Sequence, residues 1–103
     1  MSSSWLTKDL RASIYRRDRG TCCYCGCELH VGAHNSDPQA ASIDHITARD
    51  NGGDLCNPKN LVAVCASCNS SKGSVPLRNW TIRVGLDLRI IRAEIKRRTE
   101  RKV

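Results

Sequence analysis

A chain of 103 residues with 40% apolar and 4% aromatic content, and no Phe, makes one domain whose small core needs a staple. Seven cysteines, an odd number that includes two C-x-x-C pairs, argue for metal thiolates and against a secreted disulfide scaffold. The formal charge of +7 favours a polyanionic partner, although solubility alone also accounts for it, and no apolar run is long enough to span a membrane. With no signal-like N-terminal segment, a reducing cytoplasm is the expected setting.

Met1 to Ser4 reads as a loose tail. Within the N-terminal segment, residues 5–19, Thr7 is an N-cap and Lys8 to Arg17 a helix with Leu6, Leu10 and Ile14 on one face. Lys8, Arg11, Arg16 and Arg17 form its other face, either solvated or turned toward phosphates. In TCCYCGC only Cys22 and Cys25 have two intervening residues, so they pair with Cys65 and Cys68 as a tetrahedral four-thiolate zinc site. The halves are too far apart for a simple zinc ribbon, so further structure packs between them. Cys23, Cys27 and Cys56 are left over as small buried or half-exposed thiols.

Glu28 to Ala41 reads as a polar loop, with His30 and His34 solvated rather than ligating. Ala41 to Thr47 is a short strand, followed by a turn from Arg49 to Asp54 with Gly52-Gly53 at its tip. Asn57-Pro58 opens a single helical turn, and Leu61 to Val64 is the returning strand. Ala66 to Lys72 is a short helix closed by Gly73, which completes a core over residues 20–75. In the last segment, 76–103, Trp80, Val84, Leu88, Ile91 and Ile95 recur at spacings of four, four, three and four, a helical stripe that Gly85 divides. The basic end, IKRRTERKV, is either a solvated helix end or a grip on DNA backbone through Arg97 and Arg98.

Asp44-His45, Asn60 and Cys68-Asn69-x-x-Lys72-Gly73 stand in order with RDRGTCCYCG, IDHI, GGD, NLV and CASCNSSKG. Together they resemble the HNH endonuclease family, in particular its small zinc-stapled, bacteriophage-type members. The resemblance implies a small α+β fold: a ββα-metal core stapled by the four-cysteine zinc site and flanked by N-terminal and C-terminal helices. It also implies a metal-dependent DNA endonuclease, for which nicking of one strand per active site and a monomeric state are the expectations. By that resemblance His45 is the general base, Asp44 and Asn69 hold the catalytic divalent ion, and Asn60 holds the loop that carries the base. Many relatives have His where this chain has Asn69, and an amide oxygen suits Mg²⁺ or Mn²⁺ better than softer ions. Arg49 and Lys72 are expected to touch DNA phosphates. Phage-type relatives often act beside the packaging terminase, so a terminase or another packaging protein in the host cytoplasm is a further expected partner.

Adjacent strand residues point to opposite faces, so Asp44 and His45 serve one phosphate only where the strand ends or bends. Two other functions fit the composition. One is a zinc-stapled DNA-binding module, which has no need of Asp44, His45 and Asn69 together. The other is an accessory protein that docks its C-terminal helices on a larger machine.

Overall fold

Residues 6–47 and 56–102 are described by the computed structural model. Thr7 is extended, and its hydroxyl accepts the Leu10 amide at 3.1 Å, which starts helix α1 (Lys8–Arg17) where the capping residue predicts. Strands β1 (Ala41–His45) and β2 (Leu61–Cys65) form a two-stranded antiparallel sheet with Ile43 opposite Ala63 and His45 opposite Leu61. Between them Asn57 caps a single 3₁₀ turn (Pro58–Asn60) by accepting the Lys59 amide. Helix α2 (Ala66–Lys72) follows β2 directly and closes at Gly73, whose φ of 53° suits glycine. Helices α3 (Leu77–Val84) and α4 (Leu88–Thr99) complete the order.

β2 is buried along its whole length, because α1, α2 and α4 all pack against it. A strand reading Leu-Val-Ala-Val, without polar alternation, is what burial on both faces requires. Ile14 of α1, Trp80 of α3 and Ile91 of α4 join it in the core. The first strand stops at His45, short of the expected Thr47, because its partner beyond Leu61 is the 3₁₀ turn. Beyond His45, among the described residues, the Ile46 amide bonds the Asn60 carbonyl at 2.9 Å.

Gly85 does divide the C-terminal stripe: it sits left-handed at φ 77° and ends α3, and Asp87 caps α4. The division restarts the helical phase. Trp80 and Ile91 are buried and Leu88 and Ile95 half-buried, but Val84 is exposed, and Thr81 takes the inward place on α3. The N-terminal tail and the Gly52-Gly53 turn lie outside the described residues.

The two largest departures from expectation concern arginines. Arg17, expected on the basic face, is only 5% exposed. Its guanidinium binds Asp18 at 2.7 Å and the carbonyls of Pro58 and Leu61 at 2.8 and 2.6 Å. Arg98, expected to grip DNA, is 4% exposed and bonds Glu94, the Thr21 carbonyl and the Thr21 hydroxyl. Arg101 donates to the Arg17 carbonyl at 2.7 Å. The end of α4 is therefore docked on the loop after α1. Helical phase carried the signal: Arg17 falls three residues after Ile14, and Arg98 three after Ile95, each in register with its apolar stripe.

Candidate functional site

The thiolate cluster assembles from two tight turns. After α1 the chain folds back on itself, with the Cys22 amide bonded to the Cys27 carbonyl at 2.8 Å and the Gly26 amide to the Cys22 carbonyl at 3.0 Å. The second pair lies where β2 runs into α2, and the Cys65 sulfur accepts the Cys68 amide at 3.4 Å. The Cys22 sulfur accepts the Cys25 amide in the same way at 3.5 Å. The four sulfurs lie within 4.8 Å of one another, with Cys25 and Cys65 at 3.7 Å. A tetrahedral zinc thiolate, with bonds near 2.3 Å, has sulfur–sulfur edges of about 3.8 Å, so the donor set fits a zinc ion with at most a small inward adjustment. A bond from Cys68 lowers the Cys22 thiol below its ordinary value. The same bond pushes Cys68 up.

The leftover cysteines stay outside that group. Burial pushes both Cys23 and Cys27 up to about 12, and Cys56 is exposed. An unionised, buried thiol is a poor nucleophile, which fits Cys23 as core filler.

Asp44 and Asn69 both lie at the sheet–helix junction, Asp44 bound to Lys72 of α2 and Asn69 bound to Ser42 of β1. Ser42 and Asp44 share the face of β1 that packs on α2, two residues apart in the pleat. The Asn69 amide nitrogen donates to the Ser42 hydroxyl at 2.6 Å, which turns its carbonyl oxygen away from that bond. One turn on, the Lys72 ammonium lies 3.1 Å from Asp44 Oδ2 and 3.3 Å from the His45 carbonyl. The Tyr24 hydroxyl donates to the same Oδ2 at 2.6 Å. Burial pushes the Asp44 carboxyl above its ordinary range, against the opposing pull of Lys72 and Tyr24. Lys72, expected at a DNA phosphate, is 1% exposed and committed to Asp44. It neutralises a buried acid instead.

His45 ends β1 and is half-buried, beside the segment that leads into the Gly-Gly turn. Asn60 grips that segment with both ends of its amide: Oδ1 accepts the Thr47 amide at 2.9 Å and Nδ2 donates to the Thr47 carbonyl at 3.0 Å. Arg97 lies on the exposed side of α4 and pairs with Glu94 at 2.6 Å. Arg49 lies outside the described residues. His30 bonds Asp37 at 2.7 Å and His34 bonds Ser36, both at the surface and apart from the cysteines. Tyr24 is the residue that sequence reasoning missed. Its one signal was an aromatic between two ligand cysteines, in a chain with few aromatics.

Two observations from known proteins bear on this arrangement. A stretch of the CRISPR-associated endonuclease Cas9 of Corynebacterium diphtheriae is 37% identical over 78 residues, covering 71% of this chain and 6% of that protein. The same enzyme of Actinomyces naeslundii is 35% identical over 65 residues, 63% of this chain and 5% of that protein. The chain thus spans a small part of each relative. Residues 22–74, from the first clustered cysteine to just past α2, match the model of the HNH endonuclease family. With the sheet, helix and thiolate cluster all inside that span, the chain belongs to the HNH endonuclease family.

Proposed function

We propose that the protein is a metal-dependent DNA endonuclease that cuts one strand per active site. The observation that carries the proposal is that Asp44, next to His45 in the chain, and Asn69 are tied to one β1–α2 junction held by the four cysteines. A binding module without catalysis has no use for a carboxylate and an amide placed at one such junction.

In this reading zinc occupies Cys22, Cys25, Cys65 and Cys68 and is structural, since four thiolates leave no open position. Asp44 Oδ2 is held by Tyr24 and Lys72, so Oδ1 is the atom it offers a cation, together with the carbonyl oxygen of Asn69. Two oxygen donors suit Mg²⁺ or Mn²⁺. That ion, when bound, supplies charge stabilisation at the scissile phosphate and at the departing 3′-oxygen. His45 accepts a proton from the water that attacks phosphorus, and its neutral imidazole is the competent form. Asn60 fixes the backbone two residues beyond His45 and so steadies the base without touching substrate. Arg97, exposed on α4, meets DNA phosphate in this reading.

The relatives are bacterial CRISPR-associated endonucleases, which favours a cutting module of that kind over a terminase-linked packaging role. No described helix is long and apolar enough to cross a membrane. None of the seven cysteines is in a disulfide, in keeping with a reducing setting. Supercoiled plasmid incubated with purified protein and Mg²⁺ or Mn²⁺ tests the reading. Open-circle DNA should appear before linear, and none should appear in chelator. If no divalent ion supports nicking, the zinc-stapled binder is the better account.

A further inference from the structure

Tyr24 lies between Cys22 and Cys25, and its hydroxyl reaches 20 residues along the chain to Asp44. The bond, at 2.6 Å, is buried. Its ring packs against Trp80 with centroids 5.1 Å apart, and the Trp80 indole is itself fixed by a bond to Ser71 of α2 at 2.9 Å. The phenol therefore has little freedom: the cysteine turn holds its backbone and Trp80 holds its ring. On the other side, the Lys72 ammonium approaches the same carboxylate oxygen. We propose that Tyr24 is a positioning residue for the catalytic cation: it clamps Asp44 Oδ2 so that Oδ1 is presented at a fixed angle. The thiolate cluster then does more than hold the fold. Through one phenol it sets the orientation of a carboxylate that belongs to a different metal site.

The proposal rests on the reading of Asp44 as a cation ligand and adds a residue to it. Groups that hydrogen-bond a metal ligand typically contribute 10–100-fold to metal affinity. Tyr24→Phe keeps the ring and its contact with Trp80 and removes only the hydroxyl. Zinc content and thermal midpoint should stay near wild type, while Mn²⁺ affinity, read by electron paramagnetic resonance, should fall about 10–100-fold. The Mn²⁺ concentration for half-maximal nicking should rise by the same factor, with the rate at saturating Mn²⁺ largely restored. A purely structural tyrosine would lower the midpoint and zinc content without that split.

Asp44→Ala separates the two levels of the argument. If it binds Mn²⁺ as wild type does, the cation reading fails and this proposal falls with it. If Asp44→Ala loses Mn²⁺ while Tyr24→Phe keeps wild-type affinity, the cation reading stands and the role of Tyr24 is overturned. The wild-type protein offers a readout that depends on no variant. Titration with Mn²⁺ should shift the tyrosine ultraviolet band with the midpoint of cation binding, because the hydroxyl shares its acceptor with the ion. An unchanged band overturns the proposal as well.

Discussion

Asp18 and Asp44 are both buried acids paired with buried bases, and they are used in opposite ways. Asp18 spends both oxygens on the protein. Oδ1 takes the Arg17 Nε at 2.7 Å, Oδ2 takes the Ala63 amide at 2.7 Å, and Arg98 stands 3.6 Å away. It ties α1, β2 and α4 together and has nothing left to offer. Asp44 receives its two named partners, Tyr24 and Lys72, on one oxygen. A buried charge costs several kcal/mol to desolvate, so a fold keeps one where it is saturated or where it is used. Which of the two applies can be read from how the lone pairs are distributed.

The largest effect expected removes the support beneath both acids. Cys65→Ser takes a sulfur from the cluster that anchors β2 to α2. Structural zinc is worth about 10–16 kcal/mol, on the scale of a whole domain's stability. The variant should be unfolded or insoluble by circular dichroism, whereas Cys23→Ser should stay folded with one zinc. Well-folded wild-type protein without tightly bound zinc would contradict the assignment.

Asp18→Asn comes next. It takes the carboxylate from the buried Arg17 guanidinium, while Arg98 keeps Glu94, and breaking a buried pair costs about 3–5 kcal/mol. Denaturant unfolding should show that loss, and any nuclease activity should be normal under conditions where the variant remains folded. A stability close to wild type would mean that the Arg17–Asp18–Arg98 cluster is a spectator.

How much of this was legible beforehand follows the same division. Caps and ligand spacings are local, so Thr7, Gly73, Gly85 and the two cysteine pairs marked their own positions. The charged residues were harder, because their type argued for solvent while their partners lie far along the chain. Arg17 needs Pro58 and Leu61, Arg98 needs Thr21, and Lys72 needs Asp44. Helical phase placed Arg17 and Arg98 on apolar stripes, a signal that residue type overrode. Tyr24 had no periodic signal, since it lies in a turn whose partner strand begins beyond the polar loop.

A smaller contrast sets Arg98 against Arg97, neighbours on α4. Arg98→Ala should cost about 1.5–3 kcal/mol in denaturant unfolding, since its charged hydrogen bonds are buried. Arg97→Ala loses only a surface pair and should stay within about 0.5 kcal/mol of wild type. Its expected effect is on DNA: the salt slope of binding should flatten by about one unit. An unchanged slope would make that edge of α4 a solvated surface.

The smallest effect lies in the polar loop. The hydrogen bond that His30 donates to Asp37 raises it above the ordinary histidine value. A raised histidine adds stability that is complete in acid and disappears as pH rises through its folded value. Because the His30 side chain is solvent-exposed, the change should be visible in its NMR titration and almost invisible in the global unfolding midpoint. Asp37→Asn should return the titration to the ordinary value.

The most direct test of the central claim is single-turnover cleavage of a DNA duplex by His45→Ala beside wild type. Zinc content, Mn²⁺ affinity and DNA affinity should be retained, because the substitution touches neither the cysteines nor Asp44 and Asn69. Cleavage should fall by roughly 10²–10⁴-fold, the usual worth of a general base, and added Mn²⁺ should not restore it. A His45→Ala variant that cuts as fast as wild type would contradict the account.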